Sequence, residues 1–415
     1  MGTWARKRVR ELRKWTWNGD YKCCDGFSCV AIAVLPGDRV VTGGTPDGKL
    51  KVWAIETGVC LKTIETNDME DVFGIEKDDG LKGIDCLACL SDGRVVAAGM
   101  SFGGNDKGIE GDKHKNRHII WDLETEQVVV TEGYQRITSF LLALGDSKYV
   151  SSDCCSHLKL WDGHTGACLS SLELFLDTSI EEAEWTPRSL LELPNGNLAL
   201  LFVAGWADSY ISLLRVTGDE LVPVRRIALP RPRVLGFESR GRTRYWRMVK
   251  IGGYDEGNQV LIRLKSDNGN EWNAPPWRDA EATGLHQIWD LDLGKCLHQF
   301  NCLSHAQDGF TKTSDAIAVL PDGRFVVPGF GATIVSVADP FDTRSWEVEH
   351  RYAPHDSRPM EYHDGWEFTT EEVTLIYAIA ALGGDRYLTA ANDGTFKVWT
   401  APPASSPARA TILPP

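Results

Sequence analysis

Metal or acid–base chemistry needs histidines and carboxylates gathered on one element, and two stretches of this chain come nearest to that. Asp112, His114 and His118 lie in one; His350, His355, His363, Asp356 and Asp364 lie in the other. Neither has a compact ligand spacing such as HExxH, so these histidines read as solvated loop residues. Asp267-Asn268-Gly269-Asn270-Glu271 carries calcium-type ligands but lacks the distal Glu of an EF-hand loop. Cys86-Leu87-Ala88-Cys89 has CxxC spacing, but in a strand positions i and i+3 point to opposite faces, which separates the thiols. No Gly-rich phosphate loop follows a strand and opens a helix, and there is no nucleophile elbow. The chemistry-bearing residues therefore predict a non-enzymatic chain with no catalytic residues, no metal and no cofactor.

The elements that would position any site repeat along the chain. Leu158-Lys159-Leu160-Trp161-Asp162-Gly163-His164-Thr165-Gly166-Ala167-Cys168-Leu169 has counterparts at 50–61, around Trp121-Asp122, around Trp289-Asp290, and at Phe396-Lys397-Val398-Trp399. Each copy reads as an alternating strand, a tight turn and the start of a second strand. Upstream of each lies an apolar strand, a Gly/Asp turn and another apolar strand. Examples are the turns Pro36-Gly37-Asp38, Ser91-Asp92-Gly93, Gly145-Asp146-Ser147 and Gly383-Gly384-Asp385. Two units are degenerate: Leu214 stands where tryptophan is expected, and Ser336 stands near that position in another. Trp121 and Trp161 are one ordinary repeat apart, about 40 residues.

This pattern resembles the WD40-repeat family. The resemblance implies an all-β, seven-bladed WD40-like β-propeller with four antiparallel strands per blade. It spans residues 1–401 as one domain, with residues 9–17 supplying the strand that closes the last blade. An amphipathic helix using Trp4, Leu12 and Trp15 is the competing reading of that segment. Residues 402–415 are proline-rich and read as a disordered tail. Small residues such as Ala31, Ala33, Ala318, Ala378 and Ala380 suit the crowded innermost strands, and Trp53, Trp121, Trp161, Trp289 and Trp399 are expected in the core. The chain departs from the family in lacking most of its opening Gly-His pairs, and no Arg stands two places after Trp-Asp: Glu124, His164 and Asp292 occupy that slot. That absence removes the motif by which some members dock onto a ubiquitin ligase adaptor.

Composition bounds the partners. A net charge of -14 argues against a general nucleic-acid binder, and no apolar run reaches the length of a membrane span. The basic N-terminus lacks the apolar stretch of a secretion signal. The eleven cysteines fit a reducing compartment, so an intracellular, cytoplasmic location is expected, with the nucleus as an alternative. Cys60, Cys168 and Cys296 recur in one phrase in different repeats, too far apart to bridge, and read as small buried hydrophobes.

The turns between first and second strands, and between third and fourth, look short throughout. The long insertions fall between second and third strands (100–117, 204–209, 266–284) or between repeats (65–80, 173–188, 228–244, 350–374). In an up-and-down blade both kinds of insertion emerge on the same rim, so one rim should be elaborated and the opposite one plain. Binding residues concentrate on loops held by a rigid scaffold. The elaborated rim carries Trp206, Trp272, Trp277 and Trp366, with Arg231, Arg233, Arg240, Arg242 and Arg244 forming a basic sector. Tryptophan and arginine are favoured interface anchors, although such tryptophans also pin their own loops to the blades. The WD40 resemblance implies an interaction scaffold binding a protein or peptide partner there, with neither nucleic acid nor membrane as partner. The alternative is a propeller enzyme or small-ligand receptor with its site at the mouth of the central channel.

Overall fold

The computed structural model describes residues 29–44, 49–65, 84, 86–99, 118–131, 138–153, 157–174, 185–204, 208–229, 245–254, 258–267, 285–301, 317–321, 324–328, 335–338, 350–352, 376–391 and 396–401. They form 27 strands and, among the described residues, no helix. Blade 1 is β1 Cys29–Leu35, β2 Arg39–Gly44, β3 Lys49–Ala54 and β4 Cys60–Glu65. Blade 2 is β5 Cys86–Cys89, β6 Val95–Ala98, β7 His118–Trp121 and β8 Val128–Val130. Blade 3 is β9 Thr138–Ala143, β10 Lys148–Asp153, β11 His157–Asp162 and β12 Cys168–Glu173. Blade 4 is β13 Trp185–Glu192, β14 Asn197–Ala204, β15 Asp208–Thr217 and β16 Glu220–Leu229. Blade 5 is β17 Tyr245–Tyr254, β18 Gln259–Asp267, β19 Leu285–Asp290 and β20 Lys295–Asn301. Blade 6 is β21 Ala318–Val319, β22 Phe325–Pro328, β23 Val335–Ala338 and β24 His350–Tyr352; a last sheet holds β25 Ile376–Gly383, β26 Arg386–Ala391 and β27 Phe396–Thr400.

Every pairing is antiparallel between strands consecutive in sequence. The first strands pack successively on one another, β1 on β5, β5 on β9 and so on to β25, which returns to β1. The result is a β-propeller arrangement. The expected seven four-stranded blades are corrected: six sheets have four strands, and β25–β27 has three. Among the described residues the ring is completed by β25 packing on β1, with no shared sheet. Residues 9–17, expected to supply the closing strand, and the tail 402–415 lie outside the described residues.

Both faces of a blade are apolar, which is why no blade stands alone. Val41, Val52 and Ile64 of blade 1 bury against Val95, Ile119 and Trp121 of blade 2. Leu158 and Leu160 of blade 3 meet Leu198, Leu200 and Leu214 of blade 4. Leu213 and Ile227 of blade 4 meet Val260, Ile262 and Trp289 of blade 5. Val40 and Trp53 close on Leu388, Phe396 and Val398 of the last sheet. Each such side chain contributes about 1.5–3 kcal/mol on burial. Ala31, Ala33 and Ala318 are buried as expected, and the five repeat tryptophans are all in the core.

Each of those tryptophans occupies one register. Trp53 pairs Val40, Trp121 pairs Val95, Trp161 pairs Tyr149, Trp289 pairs Val260 and Trp399 pairs Tyr387. Leu214, paired with Leu198, holds this register in blade 4 as expected. In blade 6 the holder is Ala338, paired with Phe325, while Ser336 falls two residues earlier opposite Val327. Ser336 therefore does not hold the tryptophan register.

Two residues further along the second strand stands the group that satisfies the indole. Trp53 Nε1 donates to Thr42 Oγ1 at 3.0 Å, Trp161 Nε1 to Ser151 Oγ at 2.7 Å and Trp399 Nε1 to Thr389 Oγ1 at 3.0 Å. Blade 5 has Ile262 at that place, and Trp289 Nε1 instead donates to Gln287 Oε1 at 2.9 Å. Blade 2 has Ala97 there, and the Trp121 indole nitrogen is buried without a hydrogen-bond partner. An unmet buried donor costs about 1–3 kcal/mol. Ala97→Ser places a hydroxyl at the equivalent position and should raise stability by about 1 kcal/mol. Urea unfolding of the two proteins measures this, and an unchanged or lowered midpoint counts against it.

Candidate functional site

The densest polar chemistry among the described residues sits where blade 2 meets blade 3, in two layers. The inner layer is built on β7. His118 is fully buried, its Nδ1 3.1 Å from Tyr149 Oη and its Nε2 3.1 Å from Thr138 Oγ1. Its backbone N–H donates to Thr131 Oγ1 at 3.0 Å. The imidazole stands edge-on to Tyr149 and Trp161, which stack on each other with centroids 6.0 Å apart. Burial, and then the charge of Lys159, pull the His118 pKa down to about 3. His118 is therefore a neutral core residue, which corrects its expected place in a solvated loop; Asp112 and His114 lie outside the described residues.

The outer layer is on the rim formed by the short turns. Arg94 donates to both Asp92 and the Gly163 carbonyl oxygen, and its Nη2 lies 2.7 Å from His164 Nδ1. Ser147 Oγ donates to Asp92 Oδ2 at 2.6 Å, and the Ser147 N–H donates to Ser91 Oγ at 3.1 Å. Burial alone would raise the Asp92 pKa, but the hydrogen bonds from Arg94 and Ser147 and the Arg94 charge outweigh it and hold the carboxyl well below its usual range. Ser, His and Asp are thus together, yet the arrangement is not a hydrolytic triad. Ser147 gives its hydrogen bond to Asp92 rather than to a histidine, and Arg94 stands against the His164 nitrogen that would have to be free. What the cluster does is tie two blades together, and Gly163 is part of it: an added Cβ would fall 2.5 Å from Leu90 Cδ1 of blade 2.

The same device recurs around that rim. Lys148 Nζ reaches the Gly218 carbonyl at 2.9 Å and Asp219 Oδ1 at 2.8 Å, joining blades 3 and 4. Arg386 Nη2 meets Asp38 Oδ1 at 2.8 Å, joining the last sheet to blade 1. From fourth strands, Lys62 reaches the Leu123 carbonyl and Glu126, and Arg225 reaches the Asp292 carbonyl. The sequence reading missed these residues, although a signal was there. A cation follows the first turn in five of the sheets, as Arg39, Arg94, Lys148, Arg324 and Arg386.

Exposed pairs of this kind are individually weak. The turn aspartates Asp122, Asp162 and Asp290 instead accept the N–H groups two and three residues on, as in Asp162 Oδ1 with His164 and Thr165 at 2.8 Å.

The anchors expected on the elaborated rim, Trp206, Trp272, Trp277, Trp366, Arg231, Arg233, Arg240, Arg242 and Arg244, all lie outside the described residues. The described turns between first and second strands, and all but one between third and fourth, are short. In blade 6 residues 339–349 separate β23 from β24, which corrects the expectation of short turns throughout; those residues lie outside the described ones. Cys60, Cys168 and Cys296 are exposed, correcting their expected burial: each lies in the first two residues of an outermost strand, and each thiol points to the carbonyl oxygen two residues on. Cys86 and Cys89 both lie on β5; the Cys86 sulfur faces the carbonyl oxygens of Thr138 and Ser139 in blade 3.

The fold defines the class: this chain is a β-propeller protein. Neither the protein-family models nor the curated proteins compared with it match the chain. No helix among the described residues is long and apolar enough to cross a membrane.

Two outcomes test the layers separately. Asp92→Ala removes the carboxylate that accepts from both the buried Ser147 hydroxyl and Arg94 and should cost about 1–3 kcal/mol in urea unfolding. For His118, the unfolded state takes a proton near the ordinary value of 6.5 and the folded state only near about 3. Its share of stability is whole above pH 6.5 and is lost as pH falls toward 3, by about 1.4 kcal/mol per pH unit. His118→Gln should flatten the stability–pH curve in that window whatever it does to the absolute value. An equally steep curve in the variant would show that other groups set the acid sensitivity.

Proposed function

We propose that this chain is a divergent propeller of WD40 type and a non-enzymatic interaction scaffold, binding a protein or peptide partner on its loop-elaborated rim. The observation that carries the reading is the use made of the opposite rim. There the short turns direct their charged groups at neighbouring blades: Arg94 at Gly163 and His164, Lys148 at Asp219, Arg386 at Asp38. A rim committed to holding the ring together is a poor place for a partner to compete, whereas loops on a ring so held are free to vary. The long segments between second and third strands and between blades leave from the other rim and carry Trp206, Trp272, Trp277 and Trp366 with the arginines 231, 233, 240, 242 and 244. Large aromatic and guanidinium groups give contact area and directional hydrogen bonds, the usual content of an interface centre.

Affinity capture from the native cell tests this reading, with wild type beside a Trp272→Ala/Trp277→Ala double variant. The double variant should lose specific interactors that an Asp38→Ala/Asp385→Ala change on the short-turn rim retains. If the rim change removes them and the tryptophan change does not, the assignment of the working rim is wrong.

A further inference from the structure

The first turn of blade 4 holds an asparagine and a glycine side by side in an open geometry. Leu193 to Gly196 joins β13 to β14; the Leu193 N–H donates to the Asn197 carbonyl oxygen and the Gly196 N–H to the Leu193 carbonyl oxygen, each at 2.8 Å. Gly196 has φ 76°, the left-handed conformation that glycine adopts without steric cost, and a Cβ placed on it would meet nothing within 4 Å. Pro194, Asn195 and Gly196 are exposed, while Leu193 before them is buried in the seam between blades 4 and 5.

The Asn195 side chain is set for a reaction with its own backbone. Its Oδ1 accepts the Asn197 N–H at 2.9 Å, which draws electrons from Cγ and would hold the negative charge that oxygen gains under attack. Its Nδ2, the group that would leave, makes no hydrogen bond among the described residues. The following residue brings no side chain to obstruct the approach of its nitrogen. The other described asparagines lack this combination. Asn197 is buried, precedes Leu198 and has its Oδ1 held by Arg215 Nε at 3.0 Å. Asn258 precedes Gln259 and has its Nδ2 held by Asp292, and Asn301 precedes Cys302.

We propose that Asn195-Gly196 is a site of spontaneous deamidation, a time-dependent modification of the short-turn rim that needs only water as co-reactant. The Gly196 nitrogen gives its proton to hydroxide and attacks Asn195 Cγ. The new C–N bond closes a succinimide as the Cγ–Nδ2 bond breaks, and Nδ2 takes a proton from water and leaves as ammonia. Water then adds to either ring carbonyl and opens the ring, giving an aspartate or an isoaspartate at position 195; no atom is oxidised or reduced. The hydrogen bond from Gly196 to Leu193 gates the first step, since the nitrogen must release that carbonyl before it can react. A hairpin tip opens locally without the ring unfolding. The isoaspartate carries an extra methylene in the main chain, which upsets the spacing of both hydrogen bonds that close the turn and loosens Leu193 in its seam. The modification lies on the rim opposite the one assigned to partners and does not depend on the scaffold reading.

Incubation of the full chain at neutral and at mildly alkaline pH, followed by peptide mass spectrometry and isoaspartyl methyltransferase labelling, tests the assignment. Asn195 should convert at least tenfold faster than Asn197 or Asn258, and faster at the higher pH because the attacking nitrogen must lose its proton. Asn268, also followed by Gly, lies outside the described residues and is scored on its own peptide. Asn195→Ser should remove the label from this turn, and Gly196→Ala should slow conversion at least tenfold. Alanine is strained at this φ, so the second change is also made in a free peptide of residues 190–201, where folding plays no part. Converted protein should unfold at a lower urea concentration than fresh protein. The proposal is overturned if Asn195 keeps its amide in the folded chain while the free wild-type peptide loses it at least a hundredfold faster, or if Asn197 or Asn258 converts first.

Discussion

Everything in this molecule follows from sheets that are apolar on both faces. A four-stranded blade exposes two hydrophobic surfaces in isolation, and only a neighbour on each side can cover them. A row of blades would leave two uncovered faces at its ends; a ring leaves none. The packing of Val40 and Trp53 on Leu388, Phe396 and Val398 is the contact that turns the row into a ring. Small residues must then lie where the blades converge, as Ala31 and Ala33 do, and large ones where the wedge opens, as the tryptophans do.

The ring explains which parts of the fold were legible in the sequence. A tryptophan held in one register by its core position leaves a phrase that repeats visibly, and even the degenerate blade 4 shows its place through Leu214. The partners of those tryptophans were harder to see, because the chain meets one requirement with several chemistries. Thr42, Ser151 and Thr389 supply hydroxyls, Gln287 supplies an amide, and Ala97 supplies nothing. What must be present is a hydrogen-bond acceptor, not a residue type, so the pattern does not show as a repeated letter. The exposed cysteines were misread for a related reason. A Cys recurring in an apolar phrase suggests burial, but Cys60, Cys168 and Cys296 lie at the start of outermost strands, within their first two residues, where the pairing with the tryptophan strand leaves the thiol toward solvent. Of the candidate site, the sequence shows only which loops are long and what they carry. How those side chains converge depends on loop conformation, which no periodicity encodes.

His118 shows how context overrides an expectation drawn from neighbours in sequence. It borders a stretch rich in His, Asp and Lys, which suggests a solvated loop. Its own position is the first residue of β7, on the face turned toward Trp161 of blade 3. Burying an imidazole is tolerable only in its neutral form and only if both nitrogens are met, and Tyr149 and Thr138 meet them. The same junction carries the Asp92–Arg94–His164 tie on its surface. Polar specificity and charge pairing thus concentrate where blade 2, whose Trp121 lacks an acceptor on its other side, leans on blade 3.

The two rims and the outer wall divide the work differently. Charge on the short-turn rim is turned inward on the ring: a cation from one sheet meets a carbonyl or carboxylate of the next. Apolar exposure follows the opposite rule and is concentrated on fourth strands, where no later strand covers it. A bulge there, as at residues 61, 169, 224 and 297, has two effects through one geometric change, since skipping a residue both breaks the run of edge hydrogen bonds and frees that residue from cross-strand contact. The first effect is indifferent to side chain. The repeated choice of Leu or Val at 61, 169, 224 and 297 therefore has to be explained by the second, and Leu169 marks the boundary of that account, because blade 4 packs close enough to half-bury it. At the same place on blades 4 and 5, Val224 and Leu297 are left facing solvent.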